Sequence, residues 1–112
     1  MANADPRVKK IKIQTGVVKR ITKEKGYYEQ EVIREEQRYE KKKSDGGDDH
    51  DLRKQTEVIN ETKAMIPDTK SRLLKSCGEL KNMLESEKDL DGTDDYKAAQ
   101  NAVEEAEAVL KD

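Results

Sequence analysis

The sequence predicts an all-α protein, an elongated antiparallel up-down-up bundle of three helices that pack as in a coiled coil. The first observation is a ladder of aliphatic residues spaced by seven: Leu52, Ile59, Ile66, Leu73 and Leu80. This spacing keeps one face of a helix against a partner helix over many turns. The second is composition, because only 32% of the 112 residues are hydrophobic and 43% are charged, too little apolar material for a compact globule. The periodicity argues against a disordered chain, so we expect a single domain over residues 1–112 with a thin core.

The first helix is predicted over about residues 6–43. Asp5 is suited to the N-cap, and Pro6 to the first helical position, where its missing N–H has no cost. Gly16 and Gly26 weaken the helix, but the apolar seam keeps its register through both glycines. We therefore expect one continuous helix whose seam is Ile11, Val18, Ile21, Tyr28, Val32 and Tyr39.

The second helix is predicted over about residues 49–88, after a turn formed by SDGGDDHD at residues 44–51. The glycine pair suits the turn, and the acidic residues suit the start of the next helix. Pro67 falls inside the second helix and removes one backbone hydrogen bond. Since Ile66 and Leu73 keep their spacing of seven across it, we expect a kink at Pro67 and not a break.

The third helix is predicted over about residues 95–110, with Asp94 as its N-cap. Its narrow stripe is Tyr96, Ala99, Val103, Ala106 and Leu110. Short connections make neighbouring helices antiparallel, and the short third helix should reach back only to about Pro67. We expect a two-helix hairpin beyond that point, and we expect it to be the least stable part of the molecule.

The charges are unevenly distributed along the chain. Residues 1–25 hold eight Lys or Arg and two acidic residues, whereas residues 91–112 hold two Lys and seven acidic residues. The topology would place these segments side by side. We therefore expect their opposite charges to help select which helices pack together.

None of the residue types that usually carry chemistry forms a recognisable site. His50 lies among aspartates with no nitrogen or sulfur partner, and neither glycine-containing turn has the acidic spacing of a calcium loop. Cys77 falls on the helix-two seam, where a buried hydrophobic role is expected. We predict no enzyme, no metal and no cofactor. The sequence also has no predicted membrane span, signal peptide or internal disulfide, which favours a cytoplasmic protein.

A second apolar set on the first helix lies away from its seam. Ile13, Val17 and Tyr27 are separated by basic residues, chiefly Arg20 and Lys23. These five residues, called the α1 outer face below, form a candidate contact surface for another protein, although isolated exposed apolar residues are also common. The acidic outer face of the second helix, at Glu57, Glu61 and Asp68, is the next candidate.

Three segments in the same order and spacing resemble the tubulin-folding cofactor A (tubulin-specific chaperone A) family. They are DPRVKKIKIQTGVVKRITKEK at the start, MIPDTKSRL around the helical proline, and ESEKDL before the last turn. The resemblance implies a cytosolic three-helix chaperone that works without ATP. It would capture β-tubulin intermediates after their release from the chaperonin and hand them to later tubulin-folding cofactors.

Two other classes remain open at this stage. One is a structural coiled-coil module that forms homo-oligomers, and the other is a helical arm that binds nucleic acid through its basic first segment. The resemblance favours β-tubulin as the partner. A closed intramolecular bundle is expected to be a monomer, and the sequence features predict no nucleic-acid or membrane partner.

Overall fold

Three helices form the fold in a computed structural model that describes residues 5–111. They are α1 at Pro6–Ser44, α2 at Asp49–Ser86 and α3 at Asp94–Leu110, with a 3₁₀ turn at Lys88–Leu90 between α2 and α3. No strand occurs within residues 5–111. The prediction of an all-α three-helix fold is confirmed.

Each helix begins at a side-chain cap. Asp5 Oδ1 accepts a hydrogen bond of 2.9 Å from the N–H of Arg7, and Asp48 Oδ1 accepts one of 2.9 Å from the N–H of Asp51. In α3 the N-cap is Thr93, whose hydroxyl accepts a bond of 3.1 Å from the N–H of Tyr96. The prediction that Asp94 caps this helix was wrong by one residue. Thr93 has the extended backbone of a cap, which leaves Asp94 in the first turn, where the helix dipole favours a negative charge.

The turn between α1 and α2 depends on its two glycines. Gly46 has a φ of +82°, a left-handed conformation that side chains disfavour. The N–H groups of Gly46 and Gly47 donate to the carbonyls of Lys43 and Lys42 at 3.2 and 2.7 Å, the pairing that closes many helix ends. A Cβ on Gly47 would lie 2.8 Å from the carbonyl oxygen of Lys42, so neither glycine can be replaced without strain.

The chain divides into two compact units, and the boundary on α2 lies between Thr69 and Lys70. We call residues 5–23 with 70–111 the three-helix unit, and Glu24–Thr69 the two-helix unit. This boundary agrees with the expectation that the three-helix part ends near Pro67. That residues 1–112 behave as a single domain stays a prediction.

The three-helix unit contains one apolar core, to which all three helices contribute. Gln14 Nε2 donates to the main-chain oxygen of Ser76 at 2.9 Å. The buried hydroxyl of Tyr96 donates to the main-chain oxygen of Leu84, also at 2.9 Å. These bonds fix α1 and α3 in register with α2. The buried apolar residues are Ile11, Val18, Ile21, Leu73, Cys77, Leu80, Leu84, Leu90, Tyr96, Ala99, Ala102, Val103 and Ala106.

The two-helix unit has a different interior. Val32 and Ile59 are its buried hydrophobic residues, and four polar residues are buried with them: Lys25, Glu35, Gln55 and Thr69. Gln55 Nε2 donates to the main-chain oxygen of Glu35 at 2.9 Å and to its Oε1 at 3.0 Å. The Gln55 oxygen in turn accepts a bond of 3.2 Å from Lys42 Nζ. A hydrogen-bonded cluster therefore joins the two helices where an apolar seam was expected.

Pro67 lies inside α2, which continues through it. The prediction of a continuous helix is therefore correct, and the bend of its axis stays a prediction. Two residues later, the buried Thr69 hydroxyl donates to the carbonyl of Met65 at 2.7 Å. This bond gives one backbone carbonyl near the proline a second donor.

Candidate protein-binding face on the first helix

The structure places the residues of the α1 outer face in different environments. Ile13 is 59% exposed and Tyr27 is 56% exposed, and Arg20 and Lys23 are also exposed. Val17 is half-buried and packs against the apolar core. Val17 thus contributes to the core, whereas Ile13, Arg20 and Lys23 are accessible in the three-helix unit and Tyr27 in the two-helix unit.

A groove of about 580 Å³ runs beside Ile13 in the three-helix unit. Val8, Lys9, Lys12 and Gly16 of α1 line it together with Ile13, and Asp95 of α3 forms the opposite edge. The α1 residues share one face because positions three and four apart are neighbours on a helix. The groove therefore combines an aliphatic surface with two cations on one side and a carboxylate on the other.

Most cations in this part of α1 have no acidic partner among the residues that the structure describes. Within residues 5–111, no side-chain hydrogen bond or ion pair involves Lys9, Lys10, Lys12, Lys19, Arg20 or Lys23. Unpaired cations keep their full field at the surface, where they can attract an acidic partner.

Arg7 is the contrasting cation in the same segment. Its guanidinium contacts Asp5, Glu87 and Asp89 at 2.8, 2.7 and 3.0 Å. Hydrogen bonds to these three carboxylates raise the pKa of Arg7, and its side-chain and backbone bonds to Asp5 lower the pKa of that carboxyl. Arg7 therefore joins the start of α1 to the segment after α2, and its charge stabilises the fold.

The expected charge pairing between α1 and α3 is not seen in direct contacts within residues 5–111. Within the described part of the chain, no ion pair links the two helices, and the α3 contact runs instead from Glu107 to Lys81 of α2 at 2.8 Å. Apolar packing already fixes the position of α3, so opposite charges need not touch for the helices to associate. The consequence for function is that the basic surface of α1 stays available.

The two-helix unit carries its own exposed aromatic group. The rings of Tyr27 and Tyr28 meet edge to face, with centroids 5.4 Å apart at 71°. They line a shallow groove of about 300 Å³ with Glu31, Glu61, Thr62 and Met65. Of the second candidate face, Glu57, Glu61 and Asp68 are all exposed, and Asp68 also makes an interaction within the chain. Glu61 of the acidic α2 face and Tyr27 of the α1 outer face therefore line the same groove.

The residues considered for chemistry lie apart from these grooves. His50 is exposed in the first turn of α2, and Cys77 is buried in the core, where burial raises the pKa of its thiol. Among residues 5–111, no group of three or more His, Cys, Asp or Glu is placed to hold a metal ion. None of the helices described is long and apolar enough to cross a membrane.

Sequence reasoning missed several residues of the grooves and of the interior. Lys25 follows Val18 by seven residues and Glu35 follows Tyr28 by seven, so the repeat itself places them in the seam. Lys9, Lys12 and Gly16 share a helical face with Ile13, so a search around that residue could have found them. Asp95 could not be assigned to the groove without the packing of α3.

Residues 6–103 match the family model described as tubulin binding cofactor A. The chain belongs to this family. A tubulin-specific chaperone A from Oryctolagus cuniculus is 48% identical over 96 residues, which cover 86% of this chain and 89% of the relative. The matched range includes every residue of both candidate faces and of the groove beside Ile13.

Solved structures of the tubulin binding cofactor A family have the same fold. Tubulin folding cofactor A from Arabidopsis thaliana superposes with a TM-score of 0.84 at 33% identity, covering 92% of this chain and 97% of that one. A protein described as a beta-tubulin binding post-chaperonin cofactor superposes with a TM-score of 0.79 at 32% identity, covering 92% and 99%. These names describe chaperones and binding cofactors, and they indicate no catalytic activity.

Proposed function

We propose that this chain is a tubulin chaperone that binds β-tubulin folding intermediates after the chaperonin releases them, in the cytoplasm, and passes them to later tubulin-folding cofactors. Family membership supports the chaperone role, and the name of one solved relative supports β-tubulin as the client. Binding is stoichiometric and needs no nucleotide. The chain acts as a monomer.

The observation that carries the proposal is the run of cations around exposed Ile13 that have no acidic partner within residues 5–111. Exposed apolar residues and arginines are where interface energy tends to concentrate, and unpaired cations speed the encounter with an acidic protein. We therefore propose that the α1 outer face makes the main client contact through Ile13, Arg20 and Lys23, with Tyr27 as a separate contact. The face of Glu57, Glu61 and Asp68 is the second candidate.

The test is capture of labelled β-tubulin, released from chaperonin, by the purified chain without ATP. A one-to-one complex on gel filtration is expected, and α-tubulin serves as the specificity control. Absence of a complex with β-tubulin, or equal retention of RNA, would contradict the proposal.

A double variant then tests the site in the three-helix unit. Ile13→Ser with Arg20→Glu should leave helical circular dichroism unchanged because both side chains are exposed. Capture should fall at least about tenfold. Tyr27→Ser tests the two-helix unit separately, and Glu57→Lys with Glu61→Lys is the matched variant on α2. Undiminished capture by the double variant together with reduced capture by the α2 variant would move the site to α2.

A further inference from the structure

Neither the backbone conformation at Gly16 nor its described neighbours require a glycine at this position. Gly16 lies within α1, where glycine is the least favourable residue apart from proline. Its φ is not positive, and a Cβ built on it would meet nothing within 4 Å. Alanine would therefore fit the free protein and strengthen the helix. What glycine provides here is an uncovered stretch of helix backbone that another molecule can approach closely.

The surroundings of Gly16 define the chemistry of such a molecule. Ile13 and Val8 offer an aliphatic contact, and Lys9 and Lys12 offer two cations without acidic partners in the described chain. Asp95 closes the α3 edge of the groove and would repel an acidic group placed there. The groove is thus complementary to a segment with an apolar side chain over Gly16 and carboxylates directed toward the lysines.

We propose that the groove formed by Val8, Lys9, Lys12, Ile13, Gly16 and Asp95 binds an acidic amphipathic segment of the client, with an apolar client side chain seated on Gly16. This inference rests on the proposed function and makes it specific, because it assigns the closest contact to a position without a side chain. The segment lies with its acidic side along α1 because Asp95 excludes the opposite orientation.

Two glycine substitutions on the same helix provide the sharpest test. Gly16→Ala adds a methyl group to the lining of the groove, and Gly26→Ala makes the same change outside it, where a Cβ also meets nothing within 4 Å. Both variants should melt at a higher temperature than the unsubstituted chain. Only Gly16→Ala should weaken β-tubulin capture, by about fivefold or more, while Gly26→Ala stays within about twofold.

Charge substitutions test the same groove independently. Lys9→Glu with Lys12→Glu should weaken capture more than Lys10→Glu with Lys19→Glu, which makes the same change in net charge on α1 outside the groove. Asp95→Asn should strengthen capture, because it removes the repulsive edge. Undiminished capture by Gly16→Ala, equal loss for both glycine variants, or equal loss for both lysine pairs would overturn the inference.

A peptide titration separates this inference from the proposed function. An amphipathic peptide of Leu and Glu should shift the amide resonance of Gly16 and leave that of Gly26 in place, whereas a peptide of Leu and Lys should shift neither. If the unsubstituted chain captures no β-tubulin, the proposed function fails. In that case a shift of the Gly16 amide resonance still supports the groove as a site for acidic segments. The absence of that shift overturns the inference about the groove.

Discussion

The three-helix unit buries an almost entirely apolar core, whereas four of the six buried side chains in the two-helix unit are polar. In the first unit, Thr15 and Ser76 are the buried polar residues, and each hydroxyl donates to a carbonyl four residues earlier. In the second, Gln55 hydrogen-bonds across to Glu35. The two units thus show two ways of holding helices together in one chain.

The difference matters because apolar burial and polar pairing contribute differently. Removing apolar surface from water supplies most of the stability of a domain. A buried hydrogen bond contributes only about 1 kcal/mol net, but an unmade one is costly, so it selects one register strongly. We infer that the three-helix unit supplies most of the stability, and that the polar cluster of the two-helix unit mainly fixes how its helices align.

The largest expected effect is the loss of a core leucine. Leu73 and Leu80 are fully buried, so Leu73→Ala or Leu80→Ala should cost about 2–5 kcal/mol. Leu52 in the two-helix unit is only half-buried, and Leu52→Ala should cost clearly less. Urea melts of the three variants measure the difference. Equal losses would show that the two units do not differ in stability as proposed.

The second effect is the loss of the amide that joins the two helices. Gln55→Leu removes the donor to Glu35 and the acceptor for Lys42, and should cost about 1–3 kcal/mol. The double variant Gln55→Leu with Glu35→Leu should recover most of that loss, because both partners are then apolar. Hydrogen exchange within the two-helix unit measures both changes. A double variant no more stable than the single one would indicate that the cluster contributes more than register.

The contrast between the units also marks what the sequence could predict. The apolar repeat identified Leu73 and Leu80 because burial and periodicity agree there. It did not identify Lys25, which is 1% exposed, because lysine is ordinarily a surface residue although its position continues the repeat. Lys25 is paired at 3.1 Å with Glu29, four residues later, which is the spacing of an ion pair along a helix and could have been read from the sequence. The groove beside Ile13 was predictable only in part, since its α1 residues follow from helical spacing whereas Asp95 comes from a different helix.

A third effect concerns pH. Hydrogen bonds from Gln55 and then from Arg38 lower the pKa of Glu35 in the folded protein. A lowered folded pKa adds stability that is fully present above the ordinary carboxyl pKa, and that is lost as pH falls through the folded value. We therefore expect the two-helix unit to weaken at acidic pH, below the ordinary glutamate pKa of about 4.3.

The matched variant for this effect is Glu35→Gln, which keeps the side-chain shape but cannot ionise. The stability difference between the unsubstituted chain and Glu35→Gln, from melts at successive pH values, should shrink as pH falls through the acidic range. A difference that stays constant with pH would mean that the ionised carboxylate contributes nothing specific to this unit.

The smallest expected effect is at Pro67 of the two-helix unit. Pro67→Ala restores a backbone N–H inside α2, which contributes about 0.5–1.5 kcal/mol when hydrogen-bonded. The same change gives the unfolded chain more conformational freedom, which lowers the free energy of unfolding by about 0.4–1 kcal/mol. The two terms nearly cancel, so stability should stay level or rise slightly in urea melts. A clear loss would show that the burial of Thr69 two residues later depends on the backbone geometry that proline imposes. In that case the proline would belong with Gln55 and Glu35 among the features that fix the alignment of the two helices.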